Sequence, residues 1–275
     1  MKTIFLLFVL LLAGNNGYGQ KWCGTELTPQ QIARERARLQ SAVASVPAPS
    51  NGVPKCCLNR NISLTFWIVK DKSGNPNVSP TDIANSVAQL NADFAPICLS
   101  FNDCVINYID DWNYDILLMP EENGQLTTLY HTDHTLNVYI VQTLLKDVGD
   151  TVCGLGGGSI WMGKGCLTGK TFSHEMGHVF GLPHTFETAF GNELANGSNC
   201  ATAGDLICDT PADPKGEAGP DCQLDPYTQD ANGDWYVPDI GNIMSYYSDG
   251  CTCGFTVGQF DKMCDVYYST WYSLW

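Results

Sequence analysis

Basic residues are scarce in this chain of 275 residues: 14 lysines and arginines stand against 29 aspartates and glutamates, a formal net charge of −15. A surface so acidic repels phosphate backbones and anionic headgroups, so nucleic acid and membrane are not expected as partners. Long apolar segments are also missing beyond the N-terminus. The opening MKTIFLLFVLLLAG carries Lys2 and an apolar run over residues 4–13, too short to span a bilayer comfortably. It reads as a secretory signal of residues 1–19, with small residues at Gly17 and Gly19 for cleavage and Gln20 opening the exported chain. A phosphate-binding loop is lacking too. The glycine run CGLGGGSIWMGKG at residues 153–165 has neither the lysine and hydroxyl pattern nor the helix start of a P-loop. The expectation there is a short edge strand at residues 159–162, beside which an extended peptide can pair backbone to backbone.

Hydrophobic residues make up 44% of the chain, enough for a sizeable core. All thirteen cysteines follow the leader and read as the disulfide framework of an exported protein; the odd number leaves at least one thiol unpaired within the chain. After the leader, Thr28, Pro29 and Gln31 start a polar, basic helix with a capping box. Residues 46–54, VPAPSNGVP, are linker chemistry. With Lys55 and Arg60 as processing points, residues 20–60 are expected to form a detachable pro-segment; an extension that stays attached is the competing reading.

From residue 61 the composition is that of a folded domain. ISLTFWIV (62–69) reads as a buried strand, and Ser79, Pro80 and Asp82 start a helix whose Ile83, Val87, Leu90 and Phe94 mark one face. Residues 97–109 read as a second strand and LNVYIV (136–141) as a third, giving β-α-β-β order. Thr256 and Gln259 cap a last helix with Phe260, Met263, Tyr267 and Trp271 along its core face.

The densest chemistry lies in HEMGHVFGLPH, residues 174–184. Histidines four apart share a helix face, so His174 and His178 can aim two imidazoles at one ion. Gly181 is where the helix can stop and let the chain bring back His184 as a third ligand. Three neutral imidazoles leave the fourth position of a tetrahedral Zn²⁺ open to water, the arrangement of a catalytic site, and Glu175 is placed to take that water's proton. Phe172, Met176, Val179 and Phe180 mark the opposite, core-facing side. His131 and His134 form a second H-x-x-H pair in a polar stretch, expected to be loop histidines.

HEMGHVFGLPH followed by NIMSYY at residues 242–247 resembles the metzincin metallopeptidases. Within them LNVYIV, HTF at 184–186, CDTPA at 208–212 and FTVGQ at 255–259 are similar to the pappalysin (cytophagalysin) family. The resemblance covers residue 61 to the C-terminus. It implies an α+β, two-lobed catalytic domain, with a twisted mixed sheet and zinc helix in an upper lobe (61–184) and a loop-rich, disulfide-braced lower lobe (185–275). It implies Met244 as the floor beneath the histidines and Tyr246 as a hydroxyl near the metal. It implies Cys23 as a zinc-blocking thiol of a latent precursor, a Cys222–Cys251 disulfide, and calcium at Asp205 and Asp209. Pairing of Cys23 with another cysteine remains the alternative. An acid that selects basic substrate residues is replaced here by Gly250, with Asp249 beside it. The expectation is a secreted, monomeric zinc endopeptidase acting on proteins or peptides. A disulfide-braced binding or adhesion module with structural zinc, and a zinc enzyme with a non-peptide substrate, are the rivals.

Overall fold

The computed structural model describes residues 23–41, 52–119, 122–147, 150–215, 217–218, 222–225 and 227–271. The expected leader at 1–19 and residues 46–51 of the linker lie outside the described residues. A ten-residue strand, β1 (Arg60–Val69), is an interior strand of the main sheet, with β-branched and aromatic side chains buried on both faces. Helix α1 (Pro29–Ser41) precedes it, opened by reciprocal hydrogen bonds between Thr28 and Gln31.

Strand β1 pairs in parallel with β2 (Leu99–Ile109) on one side and with β4 (Leu136–Val141) on the other. Helix α2 (Pro80–Phe94) makes the crossover, started by the Ser79–Asp82 capping box with Pro80 in its first turn. Beyond β4 come β8 (Ile160–Gly163), parallel, and β7 (Gly154–Gly156), antiparallel, giving the order β2-β1-β4-β8-β7. The second strand thus begins two residues later than expected, because Ile97 belongs to a single 3-10 turn.

One face of this sheet, with Leu64, Phe66, Val138 and Ile140, packs on α2, α4 (Thr171–Val179) and α5 (Val257–Val266). The other face, with Tyr139 and Trp161 stacked at 4.2 Å, is covered by elements the sequence did not announce. These are β3 (Ile116–Leu118), α3 (Asn123–Leu129), β5 (Thr143–Asp147) and β6 (Asp150–Val152), with β3, β5 and β6 forming a small sheet of their own.

The edge-strand expectation needs correcting. Residues 159–162 fall largely in β8, an interior strand, and the edge is the glycine strand β7. The reason is the helix behind it. A Cβ at Gly156 would overlap the carbonyl of Glu175 and come within 2.9 Å of His178 Cβ, and one at Gly154 would meet Glu175 Cγ at 2.6 Å. Only glycine lets the edge approach α4 this closely.

After α4 the chain has few regular elements until α5. Disulfides Cys200–Cys208 and Cys222–Cys251 brace this lower part, and Cys153–Cys166, Cys57–Cys98 and Cys56–Cys264 brace the rest. Its acids cap turns: Asp230 accepts the N–H groups of Asn232 and Asp234, Asp239 that of Gly241, and Asp209 that of Gly258 at the start of α5.

Candidate active site

Every residue of α4 is buried, and the helix ends as its sequence suggests: Gly181 adopts φ +79°, and Leu182 N–H bonds to Gly177 O at 3.0 Å. The turn carries His184 back to the two helix histidines. His178 Nε2 lies 3.1 Å from His174 Nε2 and 3.1 Å from His184 Nε2. These are not hydrogen bonds. His174 Nδ1 and His178 Nδ1 donate to the carbonyls of Ile243 (2.6 Å) and Leu182 (2.7 Å), so each neutral ring presents a bare lone pair at Nε2. Burial pushes the His174 pKa down to about 4, and burial with neighbouring histidines holds His178 and His184 well below the ordinary range. Buried acceptors that converge in this way are held by a cation. Tetrahedral zinc with bonds of about 2.0–2.1 Å sets its nitrogens roughly 3.3 Å apart, so the donor set fits zinc.

Glu175 is fully buried on the strand side of the helix, and its Oε1 has no hydrogen-bond partner. Its Oε2 is met by Cys23 Sγ (3.3 Å) and Thr25 Oγ1 (3.2 Å). Burial lifts the carboxyl to about 8 despite the hydrogen bonds from Cys23, Thr25 and Gly156 that lower it. Residues 23–25 lie along β7: Cys23 bridges Gly154 in parallel, Gly24 N–H bonds to Gly154 O at 2.9 Å, and Gly156 N–H to Thr25 Oγ1 at 2.8 Å. The Cys23 sulfur and the three Nε2 atoms all lie within 4.8 Å of one another.

The opposite wall is the turn at residues 242–247. Met244 is fully buried beneath α4, its sulfur in the space a Cβ at Gly177 would need, 2.5 Å away. Tyr246 donates its hydroxyl to Cys23 O at 2.6 Å, and burial, then the charges of Cys23 and Glu175, push its pKa up, so it keeps its proton. The Phe186 ring stacks on His184 at 4.7 Å.

Peptidase family M43, described as pregnancy-associated plasma protein-A, matches residues 166–267, and peptidase family M66 matches residues 123–205. An extracellular metalloprotease of Neurospora crassa is 28% identical over 88% of this chain and 86% of the relative. Among solved structures, mirolysin in complex with a compound superposes with a TM-score of 0.57 at 18% identity, covering 76% of this chain and 92% of that one. Mature mirolysin of Tannerella forsythia in complex with a cleaved peptide gives 0.54 at 17% identity, covering 81% and 94%. The chain is an extracellular zinc metallopeptidase, and within the metzincins it is similar to the pappalysin family. Its two-lobed α+β fold is that of the mirolysin structures.

The peptidase holds its site together with residues that sequence reasoning passed over. Asp213 accepts Thr185 Oγ1 (2.6 Å), Ser245 Oγ (2.6 Å), Tyr247 hydroxyl (3.0 Å) and Lys215 N–H (2.8 Å). It thereby ties the His184 loop to the methionine turn. Asn242 and Gln259 pair their amides at 3.0 Å in both directions, and Asn242 Oδ1 also accepts Met244 N–H. Gln259 was legible as a capping residue; its second task was not. Asp249 lies against Gly169 and the Lys170 N–H at the start of α4. Asp205 is buried and accepts Ile207 N–H and Thr210 Oγ1, while Asp209 also accepts Thr256 Oγ1. Cys222 and Cys251 are joined. His131 faces Asp133 in a loop, and His134 stands at φ +60°, both away from the three clustered histidines.

Replacing Asp213 with alanine strands two loops at once. We expect Asp213→Ala to lower unfolding free energy by about 3 kcal/mol or more, with Asp213→Asn in between, as read from urea denaturation.

Proposed function

We propose that the peptidase is an endopeptidase made as a latent precursor, with His174, His178 and His184 as zinc ligands, Glu175 as general base and Tyr246 as donor to the developing oxyanion. The observation that carries this reading is the convergence of three buried Nε2 atoms beside a carboxylate oxygen without a partner among the described residues. Zinc held there supplies Lewis acidity toward the scissile carbonyl and a bound water of lowered pKa. Glu175 takes the proton of the attacking water, for which a carboxylate raised by burial is a stronger base than an exposed one, and passes it to the leaving amine. The Tyr246 hydroxyl donates to the carbonyl oxygen as negative charge grows on it. An extended substrate pairs with the bare edge of β7, and Met244 keeps the floor of the site dry.

In the latent form residues 23–25 take that edge themselves. The Cys23 sulfur would, as a thiolate, be a fourth ligand to zinc, while Thr25 donates to Glu175. Helix α1 anchors the segment: Glu35 pairs with Lys262 of α5 at 2.7 Å, and Arg36 donates to Ala189 O at 3.0 Å. Disulfides hold Cys56 and Cys57 to the catalytic body, so an activating cut N-terminal to Cys56 releases the whole blocking segment. Lys55 meets this condition, whereas Arg60 is already part of β1. Residues 1–19 direct export, and the acidic product acts as a monomer in solution rather than on nucleic acid or membrane. Calcium at Asp205 and Asp209 completes the reading, supported by the Asp205 carboxyl, raised well above the usual range by burial and by neighbouring acids including Glu193.

Four measurements test this. Limited trypsin treatment of the zinc-loaded chain should release cleavage of a denatured protein. Glu175→Ala should bind one equivalent of zinc yet leave that protein uncut; loss of zinc from this variant would remove Glu175 from the role of base. The α1 contact should be acid-labile. Burial raises the Glu35 carboxyl, but the hydrogen bond and charge of Lys262, with Arg38, leave it below its ordinary value. A depressed docked pKa stabilises docking above the free value and loses that contribution as pH falls through the docked one. The protection factors of the α1 amides should therefore fall as pH drops below the ordinary glutamate range, and Glu35→Gln should show the lower protection already at neutral pH; pH-independent protection would contradict the anchor. Finally, calcium should raise the melting temperature of the zinc-loaded chain and not that of Asp205→Asn; an equal shift in both would discard that cation.

A further inference from the structure

Two of the three clustered histidines are oriented by hydrogen bonds. His174 Nδ1 and His178 Nδ1 donate to the carbonyls of Ile243 and Leu182, at 2.6 and 2.7 Å. His184 brings its Nε2 to 3.1 Å from that of His178, yet among the described residues its Nδ1 has no hydrogen-bond partner. Rotation about its side-chain bonds would carry Nε2 away from the other two nitrogens, so the third ring needs another restraint.

That restraint is aromatic. The Glu187 N–H bonds to His184 O at 3.1 Å, closing a turn that folds residue 186 back over residue 184. The Phe186 ring lies nearly parallel to the imidazole, with 9° between planes and 4.7 Å between ring centres. Tyr246 meets both rings at a steep angle: 5.0 Å and 73° to His184, 4.6 Å and 65° to Phe186. The turn is itself pinned, since Thr185 N–H bonds to Met244 O at 3.2 Å and Thr185 Oγ1 to Asp213 at 2.6 Å. Its backbone therefore keeps Phe186 over the imidazole, while the methionine turn supplies Tyr246.

A metal-bound imidazole is electron-poor and the face of a phenyl ring is electron-rich, so the stack strengthens once the site is loaded. An aliphatic side chain of similar size fills the same space without that attraction. We propose that Phe186 is a positioning residue for zinc binding: its ring fixes His184 by stacking and Tyr246 by edge contact, so the aromatic character of residue 186 sets the metal affinity of the site. This rests on the reading of His184 as a zinc ligand given above. Outer partners of metal ligands typically change affinity by about tenfold or more, and a single stack belongs at the low end, so removing the ring should weaken zinc binding about tenfold.

The test measures zinc affinity of the full-length chain by competition with a chelator of known affinity, so it needs no turnover. Phe186→Leu, which keeps an apolar side chain without a ring, should bind zinc about tenfold more weakly, and Phe186→Tyr should stay within about twofold of wild type. Cobalt-loaded Phe186→Leu should show shifted ligand-field absorption bands, and Phe186→Tyr the wild-type bands. Leu90→Ala, which opens a cavity in the fully buried face of α2, should lower the urea midpoint and keep wild-type zinc affinity. Equal affinity in wild type and Phe186→Leu overturns the proposal. So does an equal loss in the Leu and Tyr variants, which would make shape rather than the ring decisive, or the same loss in Leu90→Ala, which would make stability decisive. A wild-type chain that takes up no zinc, or an unchanged zinc affinity in His184→Ala, overturns the ligand assignment, and the role of Phe186 with it.

Discussion

Three imidazole Nε2 atoms converge in the interior, an arrangement that neutral protein alone does not favour, and much of the structure holds it. The Nδ1–H groups of His174 and His178 are committed to carbonyls, which fixes the tautomers and turns both Nε2 atoms inward. One of those carbonyls belongs to Ile243 in the methionine turn and the other to Leu182 just past Gly181, so the helix end and the lower lobe jointly orient the ligands. Asp93 secures the start of the helix through Lys170 and Ser173, and Asp213 and the Asn242–Gln259 pair secure the turn opposite. The site is therefore positioned by the contact between lobes rather than by α4 alone.

The same economy of space underlies the proposed latent state. Because β7 consists of glycine and leucine pressed against Glu175 and His178, its outer edge is flat and bare, and any extended chain laid along it passes directly over the base and the histidines. Residues 23–25 do so in cis, with α1 supplying the additional contacts that a three-residue segment lacks. In the proposed latent form, effective concentration would make such a weak, short contact sufficient while the tether is intact, and a single cut would remove it.

Much of this was legible in the sequence where the physical signal is local. The i, i+4 histidines, the stop at Gly181 and the capping boxes at Thr28, Ser79 and Thr256 depend on spacings of a few residues, and each element starts or ends where those spacings place it. The failures share a cause. The edge strand is expected from the sequence at residues 159–162 of the glycine run, whereas what decides the edge is the closeness of α4 to Gly154 and Gly156, a tertiary fact. Strands β3 and β6 are three residues each, too short for a period-two pattern to show. Asp213 could not be told from the other acids of its loop, since its partners are 28, 32 and 34 residues away or two residues on. The pairing of ten cysteines likewise follows from the fold and not from their order.

The central claim, that one zinc ion sits among the three histidines and is blocked by Cys23 until the N-terminal segment is cut away, is tested most directly by X-ray absorption at the zinc edge before and after trimming. The account predicts one sulfur at about 2.3 Å and three nitrogens at about 2.0–2.1 Å in the intact chain, with the sulfur replaced by a light oxygen scatterer once the segment is released. A zinc environment without sulfur in the intact chain, or one whose sulfur persists after trimming, would contradict it.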